Sequence, residues 1–178
     1  MSAVRRFAMP LGSIFVAFVV CLGVSSASGC SRVEESPKGS DVPPVTSVTK
    51  ASKKLLWTRA PKGELSAVVA AHVKQAESQG RVPLVYVGAT WCEPCQHFHR
   101  AAERGDLDAS FGDLAILELD ANEDEGRIQK AGYTSTYIPL FVVPGPDGRG
   151  TDRRIAGSIK GEGAVAEIAP RLSKLLGR

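Results

Sequence analysis

From residue 54 onward the apolar positions follow two periods in turn. KLLWT, residues 54 to 58, is a short apolar run compatible with a strand. Over residues 64 to 79, Leu65, Val68, Val69, Val73 and Ala76 recur at the three- and four-residue spacing of one helix face, and Gly80 ends the pattern. His72 falls on that stripe and is expected to be a core or boundary histidine. PLVYVGA, residues 83 to 89, is a continuous apolar run rich in β-branched and aromatic residues, the pattern of a strand buried on both faces. Residues 96 to 104 favour a helix with Phe98, Ala101 and Ala102 inward; Pro94 suits its first turn and Gly105 stops it. LAILELD, residues 114 to 120, is the next strand, NEDEGRIQKA, 122 to 131, a short helix, and YIPLFVV, 137 to 143, a strand reaching the turn PGPDGRG. A last strand near RRIAGS leads into AVAEIAPRLSKLL, where Val165, Ile168, Leu172, Leu175 and Leu176 share a helical face and Pro170 is expected to kink or divide the helix. No internal repeat is found.

The residues before this region are a different material. Arg5 and Arg6, the apolar stretch FAMPLGSIFVAFVVCLGV and the small residues SSASGC form the charged, apolar and small-residue regions of an export signal over residues 1 to 29. The stretch approaches the roughly 20 apolar residues that cross a bilayer, so retention as a membrane anchor is the alternative, although Pro10, Gly12 and Ser13 interrupt it. ASGC, ending at Cys30, resembles a bacterial lipobox, in which the signal is cut before a cysteine that carries a lipid. Ala27 departs from the Leu preferred there, and an ordinary signal cut after Ala27 is the competing reading. Residues 30 to 53 have the Ser, Pro, Val, Thr and Lys composition of a flexible tether, and residues 54 to 178 remain as the folded domain. A chain of 178 residues, 43% hydrophobic, is long enough for one such domain after the signal is subtracted. Arg5 and Arg6 supply two of the +3 formal charges, which leaves too little for a nucleic-acid surface.

Cysteine usage narrows the chemistry. Cys21 lies in the signal and Cys30 at its boundary, so the domain keeps Cys92 and Cys95. A loop of two intervening residues removes little entropy from the unfolded chain, which makes the pair a poor staple. With WCEPC following a buried strand, LELDAN closing the next, Tyr133 six residues before Pro139, a strand pair turning at PDG and Gly157 ahead of the last helix, residues 54 to 177 resemble a thioredoxin. The resemblance implies an α/β thioredoxin fold, a central mixed sheet flanked by helices on both faces. It implies that Pro139 is a cis proline facing the active-site sulfurs, with Ile138 before it. It makes Cys92 the exposed attacking thiolate, favoured by the helix start, and Cys95 the sheltered resolving thiol. Trp91, Glu93 and Pro94 complete the motif as supporting residues. Two electrons move between thiols and protein disulfides with neither cofactor nor metal, and an upstream thiol reductant or a membrane electron relay must recharge the pair.

The neighbours of the pair bear on the direction of electron flow. Glu93 sets a negative charge beside the thiolate, Pro94 restricts the turn, and neither intervening position is a histidine as in strongly oxidising relatives, so reduction is favoured. His97 and His99 would lower the Cys92 pKa if protonated, or simply belong to a solvated helix face. One departure stands out. The acidic residue that ordinary thioredoxins carry six positions before the first cysteine is Tyr86 here, and its lysine partner is Ile116, so the proton relay must differ, through Tyr86, Glu118 or water, unless Tyr86 only packs in the core. CEPC resembles exported, tethered thioredoxins that reduce apocytochrome c, which generally carry an extra segment before the cis proline. The 44 residues from Cys95 to Pro139 are close to a plain thioredoxin, and residues 98 to 124 look more like periplasmic reductase domains of the DsbD type. The favoured reading is a general reductase on the periplasmic side of a bacterial membrane, held by the N-terminal anchor, with a dedicated cytochrome c maturation factor as alternative. A copper or zinc chaperone using Cys92, Cys95 and His99 is the reading from another class.

Overall fold

A computed structural model describes residues 53 to 178. The expected export signal, Cys30 and all of the expected tether but Lys53 lie outside the described residues. Among the described residues no helix is long and apolar enough to cross a membrane.

Five strands form one mixed sheet: β1 (Leu56–Arg59), β2 (Val82–Gly88), β3 (Leu114–Asp120), β4 (Leu140–Val142) and β5 (Arg154–Ala156). The order across the sheet is β1-β3-β2-β4-β5, with β1, β3 and β2 parallel and β4 and β5 antiparallel to their neighbours. The helices are α1 (Leu65–Ser78), α2 (Glu93–Arg104), α3 (Asp108–Phe111), α4 (Glu125–Ala131) and α5 (Ala164–Leu175).

Alternation along the strands sorts the core into two layers. Leu84 and Tyr86 of β2, Leu114 and Ile116 of β3 and Phe141 of β4 face one side, where they pack with Phe98 and Ala101 of α2, Phe111 of α3 and Ile168 and Leu172 of α5. Val85, Val87, Leu117, Leu119, Leu140 and Val142 face the other, against Leu65, Val69 and Val73 of α1 and Ile128 and Ala131 of α4. Both central strands therefore bury apolar side chains on each face, as PLVYVGA predicts for β2.

The departures from the expected elements are local. α2 begins at Glu93, ahead of Gln96, because Cys92 caps it and Pro94 fits its first turn. The four-residue α3 is not anticipated; it is too short for an apolar period to mark, and Phe111 alone anchors it. β4 starts only at Leu140, since Pro139 has no N–H for the ladder. α5 runs through Pro170 without dividing. Pro170 and Ala166, whose carbonyl loses its partner, are both exposed, so water can satisfy the freed group.

Candidate active site

β2 carries the chain up the middle of the sheet and releases it at Gly88, four residues before Cys92. Cys92 is the N-cap of α2, with extended backbone angles, and its Sγ accepts the backbone N–H of Cys95 at 3.3 Å. A sulfur thus occupies the seat that an Asp or Ser oxygen usually takes at a helix start. Unpaired amides and the positive end of the helix dipole favour charge there, so on reduction this sulfur is the better thiolate. Cys92 and Cys95 are joined as a disulfide with a Cα–Cα distance of 5.2 Å.

Cys92 is 5% exposed and Cys95 3%, so the expected contrast between an open and a sheltered sulfur is slight in the oxidised form. The bond holds Cys92 against the same apolar cluster as Cys95. Position separates them: Cys92 stands before the first turn, whereas Cys95 lies within it and borders a cavity of about 310 Å³.

Trp91 and Tyr137 are large apolar side chains left about two-thirds exposed, and Ile159 is more than half exposed. The Ile138–Pro139 peptide is cis, Ile138 packs against the cluster that holds both cysteines, and the Pro139 carbonyl accepts the Gly157 amide at 2.9 Å. Because Val87 pairs with Leu140, residues 138 and 139 enter β4 at the sheet end where β2 releases the cysteine loop. Glu93 is half-exposed; its Oε1 accepts the Gly161 amide at 3.1 Å and lies 3.9 Å from His97 Nε2. The charge beside Cys92 is therefore tied to the loop between β5 and α5.

Tyr86 is buried among Trp57, Phe98 and Phe141, with ring centroids at 4.9, 6.5 and 5.2 Å. Burial, with a smaller push from the Glu118 carboxylate, holds its phenol well above the usual range. Ile116 is fully buried. The unanticipated grouping lies beside them: Glu118 Oε2 accepts the Trp57 indole N–H at 2.9 Å and stands 3.9 Å from His99 Nε2. His99 also meets Glu103 at 3.1 Å and sets its ring edge-on to Trp57. The sequence shows these residues only singly, because β1, β3 and α2 must pair before they meet. His72, as expected, is a boundary residue: Nε2–H donates to the Ala115 carbonyl at 3.0 Å, and burial holds its pKa below the usual value. Among the described residues no group of three or more His, Cys, Asp and Glu side chains is arranged to hold a metal ion.

No family model matches the chain, and no curated protein matches it. Among solved structures it is similar to the thioredoxin of Fasciola hepatica, at 24% identity over 66% of this chain and 97% of that one, with a TM-score of 0.42. It is similar to the thioredoxin of Trichomonas vaginalis at 17% identity, over 71% and 98% of the two chains, with a TM-score of 0.45. Spinach chloroplast thioredoxin f stands at 16%, 71% and 94%, with a TM-score of 0.44. The strand order, the two helical layers and the capped cysteine pair define a thioredoxin-like fold in this chain's own geometry. Two sulfurs joined across one turn at a helix start are chemically suited to thiol–disulfide exchange.

Proposed function

We propose that this protein is a thiol–disulfide oxidoreductase that works outside the cytoplasm as a reductant of protein disulfides, attached to a membrane through its N-terminus. The observation that carries the catalytic part is the Cys92–Cys95 disulfide closed across the cap of α2, which supplies an attacking sulfur and a resolving one from a single turn. The Cys92 thiolate attacks a substrate disulfide, and the Cys95 thiolate then displaces the substrate from the mixed disulfide. Trp91, Tyr137 and the chain at Ile138 and Pro139 offer the surface on which an extended substrate segment lies. Glu93 beside the thiolate supports the reducing direction, and an upstream thiol or membrane relay returns the electrons. The export part rests on residues 1 to 29, with Cys30 as the site of lipid attachment. The plain spacing between Cys95 and Pro139 supports a general reductase over a dedicated apocytochrome c partner.

The catalytic roles are tested by reduction of a protein disulfide. Cys92→Ser abolishes turnover, and Cys95→Ser accumulates covalent substrate complexes whose partners identify the pathway. Full turnover in the Cys92 variant would remove the assignment. Equilibration of the pair with glutathione gives its potential and hence the direction, and mass spectrometry of the mature N-terminus separates lipid-modified Cys30 from a cut after Ala27.

A further inference from the structure

Resolution demands something that the cap of α2 does not provide. Cys95 must lose a proton before its sulfur can attack, yet it is 3% exposed. The opening it borders is the 310 Å³ cavity whose walls include Tyr86 of β2, His99 and Arg100 of α2, and Glu118 and Asp120 of β3. We propose that this cavity is the proton exit of Cys95, with Glu118 taking the thiol proton through an intervening water and His99 as the positioning residue that passes it to solvent. The inference rests on the oxidoreductase reading above and adds the residue that serves the second step.

The other groups facing the cavity are less suited. Asp120 Oδ1 accepts the amides of Asn122 and Glu123 at 2.9 and 3.0 Å and holds the turn after β3; its Oδ2 takes no hydrogen bond from a described residue, but no described histidine, lysine or arginine pairs with it to lead a proton to solvent. Arg59 of β1 pairs with Glu123 at 2.9 Å, and Arg100 reaches Gln96. The Tyr86 phenol keeps its proton, because burial and the neighbouring Glu118 charge both oppose ionisation. Glu118 is different. Its Oε2 is fixed by the Trp57 indole at 2.9 Å, and no described residue donates a hydrogen bond to Oε1. Its side chain is 21% exposed and that of His99 34%, so the pair spans the depth from the wall beside Cys95 to bulk water. A cavity of this size, with the Glu118, Asp120 and His99 side chains in its wall, has room for the bridging water.

The Cys95 S–H bond breaks, its proton passes to the Glu118 carboxylate, and the sulfur electron pair forms the bond to Cys92. The bond between Cys92 and the substrate sulfur breaks with its electrons on the substrate, which leaves as a thiolate and takes a proton from water. The enzyme dithiol is oxidised and the substrate disulfide reduced, and Glu118 returns its proton to solvent past His99.

Stopped-flow reaction of the reduced protein with one equivalent of an aromatic disulfide, such as Ellman's disulfide, separates the steps, since attack by Cys92 and resolution by Cys95 each release one coloured thiolate. Glu118→Gln keeps an acceptor for the Trp57 indole and removes the proton acceptor. Its second phase is expected to slow about a hundredfold near neutral pH, the lower end of what a positioned base contributes. Its first phase is expected to match wild type, which also reports an intact fold. The deficit closes as pH rises past about 8.5, where a free thiol ionises unaided, and Glu118→Asp recovers part of the rate. A Glu118→Gln second phase that follows wild type at every pH overturns the inference alone. Release of only one equivalent by the wild-type protein overturns the oxidoreductase reading and the inference with it.

Discussion

Gly88 lacks a side chain at the one place where Tyr86 needs the space. A Cβ there would come within 2.7 Å of Cε1 and Cζ of the Tyr86 ring, and that ring is 2% exposed with aromatic neighbours on several sides. Gly88→Ala therefore forces a packed ring to move and is expected to destabilise the domain by about 1–3 kcal/mol, read as a lower denaturant midpoint. An unchanged midpoint would mean that the ring is not held. Glu93 acts on charge instead. Glu93→Gln removes the negative neighbour of Cys92, so the midpoint of Cys92 thiolate absorbance should fall by under about one pH unit, since an exposed charge acts with roughly 0.2–1 kcal/mol. Stabilising the thiolate stabilises the reduced form, and the potential rises in step. At this scale the sequence is legible where chemistry is local. Cys92, Cys95, Glu93 and Pro94 declare themselves by spacing, whereas the grouping of Trp57, His99 and Glu118 is made only by partners up to 61 residues apart.

Elements were legible in proportion to their length. The apolar runs of β2 and β3 and the stripes of α1, α2 and α5 mark themselves, because burying a face requires a repeated pattern. α3 has too few residues to repeat anything, and β4 is shortened by a proline that cannot donate to the ladder. Pro170 is the instructive case: of the kink or division expected there the division does not occur, and the helix carries on because the damaged carbonyl faces water. The missing hydrogen bond still costs. Pro170→Ala restores an N–H for the Ala166 carbonyl and is expected to raise stability by about 1–2 kcal/mol, less than the full penalty of an interior proline because the site is exposed and the unfolded chain gains freedom. Denaturant unfolding checks it, and a loss of stability would mean that α5 relies on the proline ring for packing.

Across the whole domain the sheet divides two kinds of work. The layer with α2, α3 and α5 carries both cysteines, and the layer with α1 and α4 carries His72 on the far side. Burial, offset in part by the Ala115 carbonyl, keeps the folded His72 below its ordinary 6.5. Above that pH both states are neutral; as pH falls through it the unfolded chain takes the proton first, so stability declines until the folded value is passed. His72→Gln should flatten this acid-side slope in a stability-against-pH series without altering electron transfer, because the sheet stands between them. The two tryptophans fall on either side of another division. Trp91 stands about two-thirds in solvent next to the disulfide, whereas Trp57 is half-buried with its indole N–H on Glu118. A disulfide quenches a neighbouring excited indole, so emission from Trp91 should brighten on reduction and yield readily to iodide. Emission from Trp57 should resist iodide and follow the charge on Glu118. Paired Trp57→Phe and Trp91→Phe variants would then let light count electrons at the sulfurs and protons at the carboxylate separately, in one protein and without any added label.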